Sequence, residues 1–228
     1  MTLLDALSTL ASMEAPVFAT SDAAARLRVP NGHASVMLAR LAASGQVIRL
    51  RRGVWAFPGR VDSLALPEYL TAPFPAYVSL QSALYLHGMI SQMPVVTYAV
   101  SQARTRRFET PMGTVSIHHV QPTFFFGFED AGRSGGRLAV PEKALVDLLY
   151  LTPARSRLFR ALPELEWPKR FSVRTARAIV SRIEPVSRRT LVARKLEELL
   201  DARSAQQRWA CWRAYRCRGS RRVHRHAV

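Results

Sequence analysis

The stretch Ser21–Phe57, SDAAARLRVPNGHASVMLARLAASGQVIRLRRGVWAF, constrains the fold more than any other. It holds two short apolar-patterned segments, Asp22–Leu27 and His33–Ser44, separated by Arg28-Val29-Pro30-Asn31-Gly32. Ala23, Ala24 and Leu27 share one side of the first, and Met37, Leu38 and Leu41 one side of the second, which is the spacing of amphipathic helices. Pro30 stops the first helix, because it lacks an N–H and crowds the preceding turn. Thr20 or Ser21 offers a hydroxyl cap, Asp22 sets a negative charge at the helix start, and Asn31 offers a cap to the second helix. Gly45 ends that helix. Gln46–Arg51 and Gly53–Phe57 then read as two strands around a turn tipped by Arg51, Arg52 and Gly53. Helix, turn, helix, hairpin is the order of a winged helix-turn-helix, which sets one helix and one hairpin against duplex DNA.

Upstream, Leu3, Leu4, Leu7, Leu10 and Ala11 fall at helical spacing before Pro16, and Val17–Ala19 suits a small first strand. The expected DNA-contacting positions are Asn31, His33, Ser35, Val36 and Arg40 on the second helix, with Arg49, Arg51 and Arg52 on the hairpin. His33 and Ser35 lie near the helix start, Val36 suits a thymine methyl group, and Arg40 suits guanine or a phosphate. The hairpin arginines suit the phosphate backbone or a minor groove. The competing readings are a solvated basic edge and a winged scaffold used for protein contacts.

The net charge of +17 points to a polyanionic partner, but its placement qualifies that. Residues 1–60 carry about +4, residues 61–150 about −1 and residues 151–228 about +14, so most of the charge lies outside the reader candidate. No apolar run reaches the roughly 18 residues needed to span a membrane. Asp5 and the lack of an early basic residue argue against a secretory leader, so a cytoplasmic protein is expected. Cys211 and Cys217 cannot form a disulfide framework or a four-ligand zinc site.

Residues 61–205 read as a mixed α+β unit with a helical C-terminal part. Ser79–Gly88 is expected as a helix with a serine cap and Leu80, Ala83, Leu84 and Leu86 buried. Pro94–Ser101 is a strand, Phe108–Val120 a hairpin turning at Pro111-Met112-Gly113, and Pro141 opens a helix. Ala154–Leu162, Val173–Ile183 and Arg188–Leu200 are further helices. From about residue 206 the chain is arginine-rich without an acid, which reads as an unstructured basic tail over 206–228 or an arm for phosphate contacts.

The segments YVSLQSALYLHGMISQMP (77–94), RRFETPMGTVSIHHV (106–120), FFFGFE (124–129) and AVPEKALVDLLYL (139–151), set behind a winged unit over residues 1–60, resemble the AbiEi family of antitoxins from type IV toxin–antitoxin systems. The resemblance covers roughly residues 1–200 and rests on the order and spacing of several motifs. It implies an antitoxin that represses its own operon and opposes a nucleotidyltransferase-like toxin, with direct contact between the two left open.

Catalytic chemistry finds little footing. His118 and His119 point to opposite faces of a strand and cannot share a metal, and His87 sits at a helix end. There is no GxSxG and no phosphate-binding GxxxxGK[ST]. Lys143 and Asp147 read as an i,i+4 ion pair and Glu142 as a first-turn acid. Phe124, Phe125, Phe126 and Phe128 read as core. Arg104, Arg106 and Arg107 stand out in a slightly acidic region as a further nucleic-acid or partner contact. The expectation is a DNA-binding autorepressor and antitoxin with no catalytic residue, metal or cofactor. The alternatives are a winged-helix regulator unlinked to a toxin and a protein-interaction module that binds no DNA.

Overall fold

The structure, a computed structural model, describes residues 2–132, 135–152 and 164–219. The first helix, α1 (Leu3–Ala11), opens on a reciprocal cap. Thr2 Oγ1 accepts from the Asp5 N–H at 3.2 Å while the Asp5 carboxylate accepts from the Thr2 N–H at 2.9 Å. The strand β1 (Val17–Ala19), helices α2 (Thr20–Leu27) and α3 (Asn31–Ala43), and strands β2 (Ile48–Arg51) and β3 (Val54–Ala56) complete a winged helix-turn-helix layout.

Both helix starts differ from the sequence reading. α2 begins at Thr20, and the Asp22 carboxylate accepts the Ala19 N–H at 2.8 Å. The Thr20 hydroxyl accepts the indole N–H of Trp55 at 2.9 Å, tying helix to hairpin instead of capping. Pro30, extended at ψ 149°, occupies the cap of α3 and its carbonyl accepts the Ala34 N–H. Asn31 therefore lies inside the first turn.

A first core, built on Leu10, Phe18, Leu27, Leu38, Trp55 and Phe57, lies between α1–α3 and one face of the sheet β1-β3-β2. The opposite face of that sheet is also covered. Leu50 and Ala56, with Val17, Ile48 and Val54, pack on Ala99, Val115 and Ile117 and on Leu66 and Leu70 of α4 (Leu66–Thr71). Along β3 the side chains alternate, Val54 and Ala56 to one side and Trp55 and Phe57 to the other, as the two-residue period of a strand dictates.

The second sheet has the order β6-β7-β5-β4-β9-β8, from β4 (Ala76–Val78), β5 (Val96–Ser101), β6 (Arg106–Thr110), β7 (Gly113–His119), β8 (Phe128–Asp130) and β9 (Arg137–Ala139). It is mixed: β5 runs parallel to β7 and β4 parallel to β9, while the remaining pairs are antiparallel. Its far face is covered by α5 (Leu80–Leu86), α6 (Pro141–Leu151), α7 (Val173–Ser181) and the first part of α8 (Val186–Gly219). Helices, sheet, shared core, sheet and helices thus stack in that order. Each buried Leu, Val or Ile contributes about 1.5–3 kcal/mol, so the shared core holds the two sheets together firmly.

Three further expectations shift. Leu86, assigned to the buried face of α5, is 48% exposed. α7 stops at Ser181, although Ile183 beyond it is buried as expected. α8 runs past residue 206 to Gly219 where an unstructured tail is expected, because no proline or glycine interrupts Val186–Arg218. Val192, Leu196 and Leu200 bury one side of it, and Arg177 of α7 forks onto Glu197 at 2.8 and 2.7 Å. The helix expected at Ala154–Leu162 lies outside the described residues.

Candidate nucleic-acid interface

α3 is held by Ala34, Met37, Leu38 and Leu41, all buried at helical spacing. The rest of its surface is open, and Asn31, His33, Ser35, Val36 and Arg40 are all exposed. The sector opposite the buried stripe runs through Gly32, Val36, Ala39 and Ala43, flanked by Ser35 and Arg40. Small side chains there let the helix backbone approach a surface closely, with Val36, 52% exposed, as its apolar centre. The expected contact positions on α3 are all accessible, with Ser35, Val36 and Arg40 on or beside the sector opposite the buried stripe and Asn31 and His33 on its two flanks.

The hairpin divides its three arginines. Arg52 and Gly53 form its two-residue turn, Gly53 takes the left-handed conformation at φ 75°, and the Arg52 side chain is exposed. Arg49 is exposed, with its guanidinium carbon 5.6 Å from the centre of the Trp55 ring. Arg51 is half-buried and points elsewhere: its Nη2 donates to the carbonyl of Ala72, beyond α4, at 3.3 Å. Of the three hairpin arginines expected at DNA, two are open and one is engaged with the segment after α4.

Arg104, Arg106 and Arg107 do not form one patch. Arg106 and Phe108 share one face of β6, whereas Arg107 and Glu109 share the other, again by strand alternation. Arg104 and Arg106 line an open groove of about 480 Å³ with Thr71, Phe74, Gln102 and Phe108. Arg107 lies 3.8 Å from the Glu109 carboxylate.

Two arginines outside the expected set bear on the winged unit. Arg28 closes α2 in the left-handed region at φ 55° and is exposed in the turn before α3. A side-chain-bearing residue in a position that favours glycine is the available signal. Arg60 is structural, donating to the carbonyls of Ala11 and Met13 and lying over the Phe57 ring at 4.7 Å.

Among the described residues, a dense cluster of ionisable groups around α6 is sealed from solvent. Lys143 and Asp147 of α6 are fully buried and 2.6 Å apart. Lys143 Nζ also donates to the Phe124 carbonyl at 3.0 Å and lies 3.4 Å from the centre of the Phe124 ring. The other Asp147 oxygen accepts from the Tyr77 hydroxyl at 2.9 Å and from Ser79 Oγ at 2.8 Å. Ser79 sits at the sharp passage from β4 to α5, where Leu80 takes a left-handed φ of 54°. Burial lowers the affinity of Lys143 for its proton, against the pull of Asp147, and burial together with Asp147 raises that of Tyr77. The cluster joins α6, β4 and the Phe124 loop. Glu142, read as a first-turn acid, is buried too and accepts the Ser172 N–H ahead of α7.

His87 Nε2 lies 2.7 Å from the carbonyl of Ala139, so it bridges the end of α5 to β9. His118 is buried and His119 exposed on opposite faces of β7. Among the described residues no helix is long and apolar enough to cross a membrane.

No curated protein gives a significant match to the chain. Residues 5–58, which span α1 through the hairpin, match the family described as "Transcriptional regulator, AbiEi antitoxin". The matched segment coincides with the unit that presents α3, Arg49 and Arg52 to solvent, so the winged unit of this chain is similar to the AbiEi antitoxin family of transcriptional regulators.

Proposed function

We propose that this protein is a DNA-binding antitoxin that represses its own operon and counteracts a nucleotidyltransferase-like toxin, acting in the cytoplasm without chemistry of its own. The observation that carries the reading is a solvent-facing α3 and two open hairpin arginines within one segment of antitoxin-regulator type. Double-stranded DNA is the partner this surface suits. Ser35 and Asn31 offer hydrogen bonds near the start of α3, Arg40 offers a guanidinium along it, and Arg49 and Arg52 offer charge for phosphates. The Lys143–Asp147 cluster has no open side for a substrate.

The test is a gel-shift titration on the protein's own promoter at several salt concentrations. Arg52→Ala is expected to weaken binding and to reduce the slope of log K against log salt by about 0.9, the value of one phosphate contact. Unchanged affinity and slope in both Arg52→Ala and Arg40→Ala would remove the DNA reading. The toxin half is tested separately. A neighbouring gene for a nucleotidyltransferase-like protein, toxic alone and tolerated beside this chain, supports it, and its absence favours a regulator unlinked to a toxin. A protein-docking role is favoured by the exposed Val36 among small residues; it predicts that Val36→Asp abolishes function while promoter binding persists.

A further inference from the structure

We propose that Arg51 is a positioning residue that latches the wing to the second domain, so that the docking of that domain sets how Arg49 and Arg52 meet DNA. The proposal rests on the winged unit being the DNA reader. Its starting point is the register of the hairpin. Arg49 pairs with Trp55 and Arg51 with Val54, which leaves Leu50 as the extra residue of a β-bulge. A bulge re-aims the side chains beside it. Here Leu50 enters the core shared with Ala99, Val115 and Ile117, and Arg51 reaches the Ala72 carbonyl.

The guanidinium of Arg51 is poorly placed for phosphate. Its Nη2 is engaged with Ala72, and its Nε is buried with no hydrogen-bond partner among the described residues. A guanidinium grips phosphate through two parallel N–H groups on one edge, and the Nε–Nη2 edge of Arg51 is closed. Its neighbour Arg52 has neither constraint and stays exposed at the turn.

The acceptor is itself fixed. Thr71 is buried beside Ala72, and its Oγ1 lies 2.9 and 2.8 Å from the carbonyls of Pro67 and Phe74, donating its one proton to either, which pins the segment after α4. β2 is thus held to the second domain at two successive residues, by an apolar side chain and by a cation on a rigid carbonyl. A wing mounted in this way has no independent hinge. Its presentation follows the body that holds it.

The experiment uses the full-length protein and a duplex of its own promoter, with binding followed by fluorescence anisotropy from about 50 to 200 mM salt. Arg51→Ala is expected to lower affinity by up to about tenfold, the usual worth of one hydrogen bond, while leaving the salt slope at the wild-type value. Arg51→Lys, which keeps a donor long enough to seek the carbonyl, is expected to recover part of the loss. Without DNA, amide hydrogen exchange over residues 48–56 is expected to quicken in Arg51→Ala and to be restored towards wild type in Arg51→Lys. A slope reduced by about 0.9 in Arg51→Ala would overturn the latch in favour of a phosphate contact. Unchanged affinity together with unchanged exchange would overturn it outright. If wild-type protein fails to bind its promoter, the DNA reading fails, and the exchange comparison still decides the latch.

Discussion

Arg28 closes α2 in a backbone region that costs an L-residue with a side chain roughly 1–2 kcal/mol and costs glycine almost nothing. Its N–H still reaches the carbonyls of Ala24 and Ala25, so the local fold accepts the geometry and carries the strain. Arg28→Gly is therefore expected to raise unfolding stability in urea by about 0.5–1 kcal/mol, less than the full strain because glycine also frees the unfolded chain. The same variant is expected to bind the promoter more weakly, since the exposed guanidinium sits in the turn ahead of α3. Stability gained with no loss of binding would leave the arginine without a functional reason.

At the scale of elements, the buried cluster decides how α6 is seated. Asp147→Asn leaves the Lys143 ammonium enclosed without its counter-charge, and the expected loss is about 3–5 kcal/mol in chemical denaturation. The paired replacement Lys143→Met with Asp147→Leu is expected to restore much of that, short of the hydrogen bonds that Tyr77 and Ser79 lose. A double variant as damaged as the single one would mean that the hydroxyl contacts, not the uncompensated charge, dominate. The spacing of this pair was legible in the sequence and its depth was not, because an i,i+4 pair looks alike on a wet helix and a dry one. The signal lay in its neighbours. Ala144, Leu145, Val146, Leu148 and Leu149 make α6 apolar on all sides, which marks a helix enclosed by others. The hairpin teaches the same lesson. Its order was readable from Pro30, Gly45 and Gly53, which punctuate the chain locally. That Ile48, Leu50, Val54 and Ala56 face a second sheet depends on residues about fifty positions away. Adjacency in sequence groups Arg106 and Arg107, and the strand period separates them.

At the level of the whole molecule a response to acid is expected from His118, buried in the sheet that lies between the shared core and helices α5–α8. Burial disfavours its imidazolium, so its pKa lies below the ordinary value of 6.5. As pH falls through 6.5 the unfolded chain takes up that proton first, so stability present above 6.5 is lost down to the folded-state pKa. Thermal unfolding followed from pH 7.5 to 5.5 is expected to show this loss, and His118→Gln is expected to flatten it. An equal decline in the variant would assign the effect to other groups. The exposure of α3 and Arg52 follows from local pattern, while Arg51 is claimed by a neighbour that no local pattern reveals.

The sheet β1-β3-β2, apolar on both sides, makes the reader unit a poor exchange part. Residues 1–60 moved onto another body, or released by cleavage, would bare Ile48, Leu50, Val54 and Ala56 on strands prone to pair with one another. On the proposed function, a new operator preference must therefore arise by changes on α3 within the intact chain, or travel with a partner sheet of matching relief. Shuffling of domains, an easy route to novelty for reader units joined by loose tethers, is closed to this one.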